Sequence, residues 1–200
     1  KEQLKFKNVL DFGYGDGFQA RYLSQKNFDV SAIDIKKKKF EEVGIDFLIY
    51  DGSNIPFDKK YFNIIFSSNV LEHVKNLDEI QKEFLRVLKD DGICVHILPS
   101  TAWRFWTIVS TLIKYWYLNP RPHGEITNNC FMELIYFSKS FWVKSFKKNN
   151  FEVIKIFQNN LFYTGNNIFG LRLDLKKRIL LSKFFGSSCN VYVLKKSKKN

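Results

Sequence analysis

Two hundred residues with a 45% hydrophobic share suffice for one sizeable buried core and require no second domain. A formal charge of +12 would favour anionic partners, but much of it sits in Lys36 to Lys39, Lys176-Lys177-Arg178 and Lys195-Lys196-Ser197-Lys198-Lys199, where hydrated lysine blocks are the ordinary explanation. Cys94, Cys130 and Cys189 lack Cys-x-x-Cys spacing, which argues against a disulfide framework and a zinc site, and no apolar run of about 18 residues or apolar leader is present, so a cytoplasmic protein without metal is expected.

In chain order, the short polar lead from Lys1 reads as the start of a piece cut from a longer protein. Val9-Leu10-Asp11-Phe12 then has the pattern of a buried strand, closed by a glycine-rich turn, and Phe18 to Gln25 has helical character. Phe28 to Ile33 predicts a second strand closed by Asp34, Phe40 to Val43 a helical turn or two, and Ile45 to Tyr50 a third strand ending at Asp51-Gly52. Asn54-Ile55-Pro56-Phe57-Asp58 is turn chemistry, and Phe62 to Phe66 reads as a fourth strand before Ser67-Ser68-Asn69.

Leu77, Ile80, Phe84, Val87 and Leu88 form the stripe of an amphipathic helix that Asp90-Asp91-Gly92 should stop, and Ile93 to Leu98 makes a fifth strand. An aromatic segment from Trp103 to Leu118 follows, then a turn at Asn119-Pro120-Arg121-Pro122 and a loop to about Ile135. Phe141 to Phe146 suits a helix and Phe151 to Phe157 a strand; a connection containing Leu173 to Phe185 leads to a last strand at Asn190 to Leu194.

This alternation predicts an α/β fold: a doubly wound, mostly parallel seven-stranded sheet, in one domain over residues 1–200, with a helical insertion or lid at about 101–137 after the fifth strand and a basic tail at 195–200. Ligands of such sheets bind beyond the carboxyl ends of the strands.

Three candidate ligand contacts stand there. Gly13, Gly15 and Gly17 let the backbone turn sharply and approach a ligand closely. Asp11 and Asp16 make this loop acidic, which repels a phosphate and suits a cationic ligand. Asp34 is placed for ribose hydroxyls, and Asp51 for an adenine amine, with Gly52 allowing close approach. Each aspartate alone could be an ordinary turn or cap residue; three after three successive strands point to one crevice.

The run Val9-Leu10-Asp11-Phe12-Gly13-Tyr14-Gly15-Asp16-Gly17 resembles the first motif of class I S-adenosyl-L-methionine-dependent methyltransferases, with Phe12 and Tyr14 where smaller or polar residues are common. The similarity continues through Ala32-Ile33-Asp34-Ile35, Asp51 to Phe57, Phe62 to Val74 and Leu85 to Gly92, and is to the type 11 branch. The resemblance implies S-adenosylmethionine as cofactor: Gly13 and Gly15 at its methionine portion, Asp11 facing its amino group, Asp34 and Ile35 at the ribose, Asp51 and Gly52 at adenine, and Ser67 to Asn69 beside the methyl. His123-Gly124-Glu125 and Tyr136 to Trp142 further resemble a subgroup that accompanies bacterial surface-glycan synthesis.

A hydroxyl acceptor would benefit from a general base, and His73, His123 and Glu125 are the candidates, each of which could equally be a pocket-border or turn residue. The expected reaction is O- or N-methylation of a small-molecule or glycan acceptor. The segment 103–118, apolar on two sides, reads either as a helix packed on the core or a partner, or as a lid meeting a lipid-linked substrate at a membrane surface. A nucleic-acid acceptor, suggested by charge alone, and a non-catalytic partner domain are the competing readings.

Overall fold

A computed structural model describes residues 7–36, 45–116, 121–163, 167–168 and 171–198. The helical turn expected at Phe40 to Val43 and the residues Asn119 and Pro120 lie outside them. The elements run β1 (Asn8–Phe12), α1 (Phe18–Gln25), β2 (Asp29–Asp34), β3 (Asp46–Ile49), β4 (Phe62–Ser68), a 3-10 turn at Leu71–His73, α2 (Leu77–Val87), β5 (Leu88–Pro99), α3 (Thr101–Tyr115), α4 (Glu133–Tyr136), α5 (Lys139–Lys148), β6 (Phe151–Gln158), β7 (Asn167–Ile168), β8 (Leu171–Arg172), α6 (Leu175–Phe185) and β9 (Cys189–Lys196).

Seven strands form one sheet in the order β3-β2-β1-β4-β5-β9-β6. The first five are parallel neighbours, while β9 runs antiparallel between β5 and β6. The predicted doubly wound, mostly parallel sheet is therefore present. Its order reverses at β1, whose neighbours are β2 and β4, and there the crevice of such sheets opens.

The period of two along each strand feeds two cores. Val30 and Ala32 of β2 pack with Ala20 of α1 and with Tyr14, while Ile33 joins Leu10 and Phe12 of β1 in the larger core. That core also holds Ile80, Phe84 and Val87 of α2 and Trp142 and Phe146 of α5, so α1 covers one face and α2 with α5 the other. Serine caps set two helix starts: Ser100 accepts from the Trp103 amide at α3, and Ser138 from the Phe141 amide at α5.

Two boundaries differ from the sequence expectation. Helix α2 ends at Val87 rather than at Gly92, because the amides of Lys60 and Tyr61 take the Arg86 and Val87 carbonyls, both at 2.8 Å, and end the helix from outside. Residues 88–92 then belong to β5, whose pairing with β4 shifts register between Phe62 and Ile64. A Cβ at Gly92 would stand 3.0 Å from the Asn63 carbonyl and 2.7 Å from Leu88 Cδ1, so the glycine serves close passage and not a helix stop. The basic tail is also shorter than expected: Lys195 and Lys196 close β9, facing Glu152 at 3.2 Å and Asp90 at 3.4 Å. The short β7–β8 hairpin and α6 fill what was expected only as a connection.

Segment 101–137 begins as predicted with an aromatic helix. Trp103, Arg104 and Ile108 are buried, and the Trp106 indole N–H donates to the Phe185 carbonyl at 3.0 Å. Phe105, Ile113, Tyr115 and Trp116 remain exposed. Among the described residues, no helix is long and apolar enough to cross a membrane.

Candidate active site

The strand β1 ends in a loop that only glycine accommodates at two points. Gly13 and Gly15 both have positive φ, 78° and 56°, and a Cβ on Gly13 would stand 2.5 Å from a Val70 methyl. The Gly13 amide donates to the Ile33 carbonyl at 2.8 Å, which ties the loop to β2, and Gly17, also at positive φ, opens α1. Asp34 completes the tie: its two carboxylate oxygens accept from the Gly15 amide at 3.0 Å and the Lys36 amide at 3.3 Å. Each oxygen keeps acceptor capacity for a ligand hydroxyl.

These residues wall a cleft of about 550 Å³ lined by Gly13, Gly15, Asp34, Ile35, Gly52 and Asn69, with Phe12, Tyr50 and Val70 as apolar surface. Six of the nine cofactor contacts expected from sequence thus meet at one place. The other three do not line it. Asp11 lies buried just before the loop, with Oδ2 lacking any hydrogen-bond partner. Burial, reinforced by the charges of Asp34 and Asp16, pushes its carboxyl up to about 7.

Asp51 is exposed and engaged locally: it accepts from the amides of Ser53 and Asn54 at 2.8 and 2.7 Å and from both of their side chains. Those bonds, the Asn54 amide first, hold its carboxyl well below the usual range. Ser67 is fully buried, its hydroxyl 2.8 Å from His96 Nδ1, and His96 stacks between Phe84 and Phe146. Its place is the core between β4 and β5, whereas Asn69 stands just past the strand end at φ 54°, where the chain turns into the cleft.

The opposite wall is built by the segment after β4, with Glu125 reaching in from the 121–126 loop. His73 and Glu125 line the cleft, and His123 packs behind, its ring 4.8 Å from that of His73 and 4.7 Å from that of Trp103. The His123 and Gly124 amides donate to Glu133 Oε1 at 2.6 and 2.8 Å, and Glu133 pairs with Arg104 at 2.7 Å, both side chains almost fully buried. The Glu125 amide donates to the Glu72 carbonyl at 2.9 Å. Desolvation lowers both imidazoles, His123 to about 4, while burial pushes Glu72 up to about 8.

Glu72 was not visible from sequence. Its side chain is completely buried, and its Oε1 lies 3.9 Å from both His73 Nε2 and His123 Nε2. A glutamate before a histidine at the start of a short helical turn reads as surface; here Gly124 passes close over its backbone and His73 and His123 stand beside its carboxylate. A Cβ on Gly124 would sit 2.6 Å from the Glu72 carbonyl oxygen. Gly124→Ala is therefore expected to push the 121–126 loop off Glu72 and to destabilise the chain by about 1–3 kcal/mol, as overpacking does. Denaturant melts would show it; an unchanged midpoint would mean the loop does not need this contact.

The strand order and glycine loop define the class I methyltransferase fold. The methyltransferase domain family matches residues 1–156, and the chain belongs to it. It is 31% identical over 103 residues to a sarcosine/dimethylglycine N-methyltransferase of Aphanothece halophytica, covering 46% of this chain and 37% of that one. It is 30% identical over 99 residues to a ubiquinone biosynthesis O-methyltransferase of Pelagibacter ubique, covering 45% and 41%. The chain thus spans less than half the length of the curated relatives it matches. A solved S-adenosylmethionine-dependent methyltransferase of Mesorhizobium loti superposes with a TM-score of 0.66 at 11% identity, over 98% of this chain and 94% of that one, a likeness of fold.

Proposed function

We propose that the chain binds S-adenosylmethionine in the cleft between Gly15 and Asn69 and transfers its methyl group to a small-molecule or glycan acceptor, on oxygen or nitrogen. The observation that carries this reading is the joining of Gly13, Gly15, Asp34, Ile35, Gly52 and Asn69 around one cleft beside a buried, unpartnered Asp11 oxygen. The donor set fits the cofactor: acceptors on Asp34 for ribose hydroxyls, an anion-capable Asp11 for an ammonium group, and apolar surface on Phe12, Ile35 and Tyr50. When bound, the cofactor supplies an electrophilic methyl on a sulfonium centre. The protein's own task is to orient the acceptor and exclude water, and Tyr50 and Val70 supply apolar wall for this.

His73, Glu125 and His123 stand on the acceptor side of the cleft, and we assign them to acceptor positioning or proton removal. The two lysines lining the cleft are set against carboxylates: Lys36 is near in sequence to Asp34, and Lys75 lies 3.9 Å from Glu125. Such mixed charge favours a small polar acceptor over a nucleic-acid backbone. Asp51, turned into its own loop, supports adenine through the order of residues 51–54.

Calorimetric titration tests the reading. The intact chain is expected to bind S-adenosylmethionine in preference to NAD, and Asp34→Ala to weaken binding by about 10–100-fold, the worth of hydrogen bonds to a charged group. No binding by the intact chain, or equal affinity for NAD, would sink the proposal.

A further inference from the structure

The cluster facing the acceptor end of the cleft has the composition of a metal site. Glu72, His73 and His123 each offer one ligand atom, and the three atoms lie within 4.8 Å of one another. We propose that these three side chains hold one first-row divalent cation of the zinc or manganese class, and that the cation faces the acceptor side of the cleft.

Glu72 carries the argument. Both of its carboxylate oxygens are buried without a hydrogen-bond donor, a costly arrangement that native proteins resolve with a donor or a cation. The nearest groups able to help are the two imidazoles, at 3.9 Å too distant for hydrogen bonds. Those two separations exceed by about 0.5 Å the roughly 3.4 Å expected between ligands bonded at about 2.1 Å around a tetrahedral ion, and all three ligand atoms lie within 4.8 Å of one another. Small rotations of the imidazoles would close the set.

The scaffold is fixed while the open side is not. Glu72 is held from behind by the Glu125 amide and by the close pass of Gly124, and the His123 backbone is anchored on Glu133. The His73 and His123 side chains are 41% and 37% exposed, which leaves coordination positions open to water or a ligand. His73 also lines the cleft with Gly13 and Asn69, so the open positions look towards the place where an acceptor must stand.

Two imidazoles and one carboxylate suit zinc, manganese or ferrous iron, whereas calcium and magnesium prefer oxygen-rich sets. Cys94, Cys130 and Cys189 are buried and take no part. The sequence had suggested no metal from the spacing of its cysteines; His73 and His123, far apart in the chain, are brought together with Glu72 only by the fold. A cation here would align and polarise an oxygen acceptor. That role rests on the methyl-transfer reading; cation binding does not.

The test uses the full chain, stripped with EDTA and dialysed, titrated calorimetrically with zinc chloride or manganese chloride alone. One equivalent per chain and a raised melting temperature are expected. Glu72→Gln and His123→Asn should each weaken uptake at least about tenfold, as loss of even an outer partner does. Circular dichroism and a cooperative melting transition of the same samples report whether each variant is folded; His73→Asn replaces any that is not. Wild-type protein that binds S-adenosylmethionine but neither metal, or folded variants with undiminished uptake, would overturn the site and leave the methyl-transfer reading standing. Uptake abolished by the variants, in a chain that does not bind S-adenosylmethionine, would establish the site and overturn that reading.

Discussion

Asp11→Asn is expected to stabilise the ligand-free chain and weaken its hold on S-adenosylmethionine, two effects of opposite sign from one carboxylate. Asp11 is 2% exposed, and its pKa is raised from the ordinary 3.8 to about 7, chiefly by desolvation. Between those values the unfolded chain has released the proton and the folded chain has not. The contribution of Asp11 to stability therefore falls as pH rises from about 4 and levels off above about 7. The ceiling of that loss is roughly 4 kcal/mol.

An asparagine keeps the acceptor that faces the Ala20 amide but never ionises. At pH 8 the variant should gain about 1–3 kcal/mol, several degrees of melting temperature for a chain of this size, after its own amide is desolvated. Near pH 4 the gain should vanish. The same replacement removes the charge offered to an ammonium group, so affinity should fall about 10–100-fold at pH 7.5. Wild-type affinity should also decline as pH drops below about 7, and the variant's should not. Scanning calorimetry at pH 4 and 8 and titrations from pH 5.5 to 7.5 check both arms; a pH-independent difference in melting temperature would remove Asp11 as the titrating group.

Arg104→Met and Glu133→Gln, each alone, are expected to cost about 3–5 kcal/mol, because either leaves one buried charge without its partner. The pair sits at 2% and 1% exposure and joins α3 to α4. Arg104 also donates to the Arg121 carbonyl at 3.0 Å, and Glu133 accepts from the His123 and Gly124 amides, so the ion pair anchors the whole loop. The double replacement removes both charges and keeps a carbonyl acceptor for the loop; it should recover most of the loss. A double-mutant cycle by denaturant unfolding reads the coupling. Losses under about 1 kcal/mol in both single variants, the range of exposed pairs, would show that water reaches the charges.

What could be read from the chain was what local chemistry determines. Val9 to Gln25 announces strand, turn and helix within seventeen neighbouring residues, and the structure places each there. Asp34 was legible because an aspartate closing a buried strand has few other tasks. The local engagement of Asp51 could have been read from Ser53 and Asn54, since an aspartate with donors two and three residues on tends to close its own turn. Ser67 lies apart from the cleft lining for another reason. Its partner His96 is its register neighbour on β5, and which face of β4 it joins depends on the sheet and not on the residues beside it. Glu72 needed still more distant information, since Gly124 covers it from across the insertion. The α2 end was likewise set by the amides of Lys60 and Tyr61, which no reading of Asp90-Asp91-Gly92 could supply.

The place of β9 has a consequence for the order of assembly. It is the last strand among the described residues, yet it stands between β5 and β6 and pairs with both. While the polypeptide is being synthesised, β6 therefore exists before it has a neighbour, and β5 keeps a bare edge until residues 189–196 emerge. Bare strand edges recruit other chains. The ribosome-bound intermediate of this protein is thus more exposed to aggregation than the finished fold, and chaperone protection matters most in the interval between β6 and β9.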